Sequence, residues 1–362
     1  MKADLRDMGQ RTLDGAFRIA VILPCYNEGE AIGGVVQDFR RALPNATIYV
    51  FDNGSTDLTR QRAEQAGATV IVEYTRGKGH VVRRMFADVD ADLYVMADGD
   101  GTYDASAAPM LIAHLLREHA DMAIGARVPV QGAAFPRGHR LGNKIFNRAY
   151  RFLFGGSYSD IFSGYRVMTR RFVKSFPAIS RGFEIETELS VHAGQLNIPV
   201  VEAGTAYRAR GEGSTSKLRT LRDGFHIANS FFMLARETRP VLIYCGLAVL
   251  FALIGLTLAL PVFQTYFETG LVPRLPTAVL AMGCFLLAAL QLTCGLILQS
   301  LTIARIEQKR ILYLGLEALP AGFTARHAAN ALVSDSQADK AKPAIIQPEA
   351  NTKLVLRTMN SE

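Results

Sequence analysis

Asp98 and Asp100 stand one residue apart at the end of an apolar run, residues 93–97, in the segment LYVMADGDGTYD. Carboxylates are hard oxygen donors, and Mg2+ or Mn2+ takes one or two of them together with phosphate oxygens and water. The pair is therefore a candidate metal site holding a diphosphate. Residues i and i+2 share a face only in a regular strand, so Gly99 and Gly101 matter: they let the backbone turn until both side chains reach one ligand. A plain polar loop after a strand is the alternative reading.

Two further acids occupy similar positions. Glu28 closes PCYNE at residues 24–28, and Asp52 opens DNGSTD at residues 52–57, each after an apolar run. At neighbouring strand tips, Glu28, Asp52 and the Asp98/Asp100 pair would bond a base, a ribose and a metal, because carboxylates accept from base N–H and ribose hydroxyl groups. Residues 76–79, RGKG, place glycines and a cation at a helix start, a natural anion site or a basic turn. The spacing is not that of a Walker loop. Arg127 is followed by Arg137, Arg140, Lys144, Arg148 and Arg151, the last three at helical spacing on one face. Arginine forks fit phosphate in two-point contacts, while a solvated basic face is the bland reading, favoured for Arg148 and Arg151.

These residues need a scaffold that brings strand ends together. Residues 19–23, 48–51, 70–72, 93–97 and 122–124 are short apolar runs, and residues 28–43, 57–66, 79–88 and 106–119 have the length and spacing of crossover helices. Such alternation predicts βα units and a mostly parallel, Rossmann-like sheet. Ser55, Thr56 and Asp57 are expected to cap the second helix. Beyond Ala126 the pattern turns α+β and more charged.

Nearly half of the 362 residues are hydrophobic and the net charge is +7. Residues 241–267 and 275–304 contain no charge, and each exceeds the roughly 20 apolar residues that cross a hydrocarbon core. A buried helical hairpin in a soluble core is the weaker alternative. The N-terminus has acids and no apolar core, so no signal peptide is expected. Arg236 and Arg239 precede the first span and Arg305, Lys309 and Arg310 follow the second, whereas the connecting loop carries one basic residue, Arg274. The positive-inside rule puts both flanks, the catalytic part and both termini in the cytoplasm of an inner (plasma) membrane protein. Cys25, Cys245, Cys284 and Cys294 form no CxxC pair, which argues against a disulfide framework or a zinc site.

The resulting organisation is an N-terminal extension (1–16), a catalytic domain (17–218), a juxtamembrane segment (219–239), spans at 240–267 and 275–304, and a disordered cytoplasmic tail (321–362). The juxtamembrane segment interleaves Phe225, Phe231, Phe232 and Leu234 with Arg219, Arg222 and Arg236, as a surface-lying or a packed helix would.

PCYNE, DNGSTD, RGKG, DGDGTYD and GAR, in this order and spacing, resemble family 2 glycosyltransferases with a GT-A fold, over about residues 18–218. With the two spans behind it, the chain is similar to the polyprenyl-phosphate glycosyltransferases of the dolichyl-phosphate mannose synthase and bacterial lipid-linked glucosyltransferase type. The resemblance implies a nucleotide-sugar donor, a UDP-sugar in preference to GDP-mannose, a divalent cation and a polyprenyl phosphate acceptor. It implies that Pro24, Tyr26, Glu28, Asp52 and Lys78 bind the nucleotide sugar with Asp98, that Asp98 and Asp100 hold the metal, and that Asp98, Asp100 and Arg127 serve catalysis. For the acceptor phosphate it points to Arg127, Arg140, Arg210, Ser214 and Lys217, the last three in a Gly/Ser loop apt for closing over a diphosphate, with an ordinary surface loop as the alternative reading. Residues 160–166 resemble a family segment ending SG-[FY]-R, and residues 183–188 its acidic helix, whose alternating acids cannot all face one site. Two residues depart from the pattern: Asn53 replaces the second acid of the usual DDGS, and Thr102 stands where some relatives carry a metal-binding Gln. The expected partners are the donor, the lipid, the membrane, a second copy of the chain and a downstream flippase or glycosyltransferase; nucleic acid is not among them. Rival readings are a processive polysaccharide synthase, disfavoured because its Gln-x-x-Arg-Trp motif needs a Trp this chain lacks, and a catalytically idle nucleotide-sugar-binding module.

Overall fold

A computed structural model describes residues 17–130, 159–180, 182, 184–208 and 239–319. Its first half alternates strands and helices: β1 (Ile19–Cys25), α1 (Gly29–Ala42), β2 (Thr47–Asp52), α2 (Thr59–Gln65), β3 (Thr69–Val72), α3 (Lys78–Asp88), β4 (Leu93–Met96), α4 (Ala108–Arg117) and β5 (Met122–Pro129). Then come β6 (Arg166–Thr169), α5 (Arg170–Ser175), α6 (Ile185–Leu196) and β7 (Val200–Tyr207). The first five strands and four helices fall where the apolar runs predict them. Every side chain of β4 is buried, as a strand covered on both faces requires.

The strands form one sheet in the order β3-β2-β1-β4-β6-β5-β7. β6 alone runs antiparallel to its neighbours β4 and β5; all other pairings are parallel. This is the expected mostly parallel α/β sheet, with one insertion the sequence does not announce. β6 is four residues long and separates β4 from β5, its predecessors in the chain. Its central feature is Arg166, fully buried, whose guanidinium donates to the carbonyls of Ser163, Ile161 and Glu186 and to Ser190 Oγ. An interior charge is tolerated only when its donors are satisfied, and here they tie the loop before β6 to the first turn of α6.

Register brings the functional ends together. β1 lies between β2 and β4, with Cys25 opposite Asp52 and Ile22 opposite Met96. The carboxyl ends of the three strands therefore open on one side of the sheet, where ligands gather in α/β folds.

Two long helices follow, α7 (Pro240–Thr269) and α8 (Leu275–Leu314), both long and apolar enough to cross a membrane. They meet through small residues: Ala248, Gly255 and Ala259 on α7, and Ala281, Cys284, Ala288 and Gly295 on α8 are buried. A Cβ on Gly295 would lie 2.9 Å from Tyr244 Cβ, so the backbones approach too closely for any larger residue. The large side chains, including Leu250, Leu253, Phe263, Leu286 and Ile297, point outward and are exposed. α8 extends ten residues past the uncharged stretch that ends at Ala304.

Candidate active site

Asp98 and Asp100 are placed by the turn after β4. Gly101 adopts φ +74°, a left-handed conformation that glycine takes without steric cost. Gly99 is required by contact: a Cβ there would stand 2.3 Å from Cys25 Sγ at the end of β1. The carboxylates have different partners. Asp100 is buried, and its Oδ1 accepts from Thr102 N at 3.1 Å and Thr102 Oγ1 at 2.6 Å. Thr102, the departure from the family pattern, thus orients Asp100. Asp98 Oδ1 accepts from Lys78 Nζ at 2.5 Å, and the same ammonium donates to Glu186 Oε1 at 2.5 Å.

Lys78 is the first residue of α3, immediately after Gly77, whose φ is +127°. Burial alone would drive the ammonium to lose its proton, but Asp98 and Glu186 outweigh that cost and hold its pKa above the ordinary lysine value. Glu186 is the residue that sequence reasoning missed. Among the alternating acids of its segment it is Glu186 that reaches Lys78; Glu188 instead accepts from the backbone N–H groups of Ile179 and Ser180. Helical geometry indicates that the acids must diverge, but not which one turns inward.

Asp52 is fully buried at the end of β2, accepting from Gly54 N, Ser55 N and Arg60 Nε. Next to it, Asn53 explains the other departure. Its Oδ1 accepts from Gly77 N at 2.8 Å, while its Nδ2 donates to the carbonyls of Glu73 at 3.0 Å and Thr75 at 2.8 Å. An amide both donates and accepts, so it staples the RGKG loop to β2 where a carboxylate would only accept. Arg76 of that loop lies over the Tyr26 ring, 4.2 Å from its centre. Asp57 accepts from Gly29 N and Thr59 N, so it serves the starts of both α1 and α2. Glu28 is buried at the N-cap position of α1, and Pro24 and Tyr26 are half-buried beside it.

Arg127 lies on β5, toward the same end of the sheet. Asp160 holds its guanidinium with contacts of 2.6 Å from Nε and 2.7 Å from Nη2. Burial opposes its charge, and the Asp160 carboxylate more than offsets it, raising the pKa. The segment at residues 160–166 is therefore a brace: Asp160 fixes Arg127, Gly164 N donates to Tyr103 OH, and Arg166 anchors α6. Arg140, Arg210, Ser214 and Lys217 lie outside the described residues, as do Arg137, Lys144, Arg148, Arg151, the N-terminal extension, the juxtamembrane segment up to residue 238 and the tail.

The donor set fits a hard divalent cation of limited protein coordination. Both Asp98 and Asp100 offer oxygen, and among the described residues no cluster of three or more His, Cys, Asp or Glu side chains cages an ion. Such a pair suits a cation that takes its remaining ligands from substrate phosphates and water.

Residues 20–176 match the family model described as Glycosyl transferase family 2. The chain is 35% identical over 296 residues to Glycosyltransferase AglJ of Haloferax volcanii, covering 81% of this chain and 97% of that one. It is 29% identical over 221 residues to a dolichyl-phosphate hexose transferase of the same organism, covering 61% of this chain and 95% of that one. Among solved structures, glucosyl-3-phosphoglycerate synthase from Mycobacterium tuberculosis, in complex with Mn2+, UDP and phosphoglyceric acid, superposes with a TM-score of 0.52. It is 20% identical, covers 64% of this chain and 82% of that one, and shares the fold. On its site residues, its sheet and these relatives, the chain belongs to glycosyl transferase family 2 and is a nucleotide-sugar glycosyltransferase.

Proposed function

We propose that the protein transfers a hexose from a nucleotide sugar, a UDP-sugar in preference to GDP-mannose, to a polyprenyl phosphate at the cytoplasmic face of a membrane. The observation that carries this reading is the presence, in one chain, of acid-lined strand ends and two long helices whose large apolar side chains are exposed. Exposed Leu, Ile and Phe in such number call for lipid as solvent, and a site beside lipid suits a lipid-borne acceptor. The relative described as a dolichyl-phosphate hexose transferase supports the same acceptor class. The basic residues flanking the apolar stretches support a cytoplasmic catalytic domain and cytoplasmic termini.

The chemistry follows from charge. A phosphate monoester has its second pKa near 6, so the acceptor is already ionised at about neutral pH and requires no strong base. Its oxygen attacks the anomeric carbon as the bond from that carbon to the diphosphate oxygen breaks, with inversion; the nucleoside diphosphate departs with both bonding electrons. Glu28, Asp52 and Tyr26 would bind the nucleoside, and Asp98 and Asp100 would hold Mg2+ or Mn2+. That cation, when bound, supplies positive charge to the leaving diphosphate. Lys78 adds a fixed positive charge in the same place, with its charge maintained by Asp98 and Glu186. Arg127, pre-set by Asp160, meets the acceptor phosphate together with Arg140, Arg210, Ser214 and Lys217. A second copy of the chain and a flippase or further glycosyltransferase are the partners this role suggests.

Incubating purified protein in lipid nanodiscs with radiolabelled UDP- and GDP-sugars and polyprenyl phosphate tests the reading. A labelled, lipid-extractable product is expected; polymer formation, or binding without turnover, would favour the processive or the idle alternative.

A further inference from the structure

The extension of α8 beyond the apolar stretch does not hang free. Ile306, Lys309 and Tyr313, spaced i, i+3 and i+7, face the catalytic domain from one side of the helix. Ile306 and Tyr313 pack against the hydrophobic core that includes Phe172, Phe176 and Ile198. Lys309 Nζ donates to Gln195 Oε1 at 3.1 Å in the last turn of α6. Tyr313 OH donates to Asp121 Oδ2 at 2.5 Å, and the Arg171 guanidinium lies over the Tyr313 ring, 4.8 Å from its centre. Asp121 is almost wholly buried and also accepts from Arg171 Nε and Nη2 at 2.6 Å each and from Thr169 Oγ1 at 2.7 Å.

Both elements gripped by the extension carry site residues at their other ends. Asp121 precedes β5, and six residues along, about 20 Å at strand rise, lies Arg127. Gln195 closes α6, and nine residues back, about 13 Å at helical rise, lies Glu186. A continuous helix from the apolar stretch to Leu314 thus joins two rigid elements that end in the active site.

Resting on the polyprenyl-phosphate reading, we infer that this extension is a strut, latched at Tyr313, Asp121 and Arg171, that fixes the height and tilt of the active site above the bilayer. Tyr313 and Arg171 are positioning residues for an acceptor whose phosphate cannot leave the membrane surface. Unlatching the strut leaves the chemistry intact but spreads the site over many positions, and the loss falls on the membrane-borne acceptor alone. Proximity of this kind is a large share of rate in two-substrate reactions.

The test uses full-length protein in nanodiscs, with Tyr313→Phe, which removes the bond to Asp121, and Tyr313→Ala, which also removes the ring under Arg171. Asp121 keeps Arg171 and Thr169 in both variants, so its charge stays paired. Tyr313→Ala is expected to lower kcat/KM for a long-chain polyprenyl phosphate at least about 10-fold, with KM for donor unchanged and transfer to a short, water-soluble isoprenoid phosphate within about twofold of wild type. Tyr313→Phe should fall between. Equal loss on both acceptors, or no loss on either, overturns the strut. Hydrogen–deuterium exchange over residues 306–316 reads the latch without reference to activity: faster exchange in Tyr313→Ala is expected, and unchanged exchange overturns the proposal. If wild type transfers to neither acceptor, the acceptor assignment fails, and exchange alone decides the latch.

Discussion

Asn53→Asp changes one heavy atom and makes this chain conform to the pattern it departs from, yet it should impair the enzyme. The amide nitrogen donates to two carbonyls at 3.0 and 2.8 Å; an oxygen in its place faces two acceptors at those distances. Losing two hydrogen bonds, each worth about 0.5–1.5 kcal/mol net, removes about 1–3 kcal/mol from the closure of the RGKG loop, before any charge repulsion. The bond from Gly77 N to the remaining oxygen survives and does not compensate. Arg76 over Tyr26 and Lys78 beside Asp98 depend on that loop, so the cost falls on donor binding. At about 1.4 kcal/mol per factor of ten, the dissociation constant of the nucleoside diphosphate should rise about 5- to 150-fold. Isothermal titration calorimetry measures it, with the melting temperature as a control for global damage. An affinity within about twofold of wild type would refute the staple.

Gly99→Ala should shift the turn that carries Asp98 and Asp100, because its Cβ would meet Cys25 Sγ at 2.3 Å; overpacking of this kind costs about 1–3 kcal/mol. Cys25→Ala removes the sulfur and leaves contacts of 3.3 Å to Ile32 Cδ1, the end of a flexible side chain, and 3.6 Å to the residue 25 Cβ, so the double variant should recover most of the turnover and stability; no recovery in the double-mutant cycle would show that another clash dominates. His192 makes a prediction about pH. Ser175 Oγ donates to the Phe172 carbonyl and therefore accepts from His192 Nε2, which leaves Nδ1 buried, without a proton and with no hydrogen-bond partner among the described residues. Burial first, and Lys309 second, push its pKa down to about 3 from an ordinary 6.5. As pH falls below 6.5 the unfolded chain takes up a proton that the folded chain refuses, so this contribution is full above 6.5 and is lost by up to about 1.4 kcal/mol per pH unit toward pH 3. Thermal melts of His192→Leu against wild type from about pH 7 to 4 should show the variant losing less stability; parallel curves would contradict the assignment.

The half of the fold that was legible in sequence is the half made of buried parallel strands. β1, β2 and β4 are nearly continuous apolar runs with acids at their ends or within three residues beyond, and both properties survive into the structure because both sheet faces are covered. β6 and β7 lack that signature. β6 is four residues opening with a buried arginine, and β7 is only partly covered, so neither the strand period nor the helix period stands out. The insertion of β6 between β4 and β5 is a long-range pairing that no local pattern encodes. In the site, the acids at strand ends were readable by type and position. Glu186 was not, since its role depends on which side of α6 packs against Lys78, and Asn53 and Thr102 read as losses until their hydrogen bonds showed what each replaces. The docking of α8 was likewise hidden, because Lys309 and Tyr313 look like any polar flank of an apolar helix.

The proposed role of the Asp98/Asp100 pair is to hold the cation that stabilises the leaving diphosphate during sugar transfer to a lipid phosphate. Its most direct test is transfer by wild type, Asp98→Ala and Asp100→Ala in nanodiscs containing polyprenyl phosphate, with Mg2+ or Mn2+ and after chelation. Wild type with cation should yield a lipid-linked sugar of inverted anomeric configuration. Both variants and the chelated enzyme should lose at least about 100-fold in rate, the scale on which removal of one electrostatic stabiliser acts, while remaining folded. Undiminished transfer by either variant, or wild-type turnover of the donor with no lipid product, would contradict it.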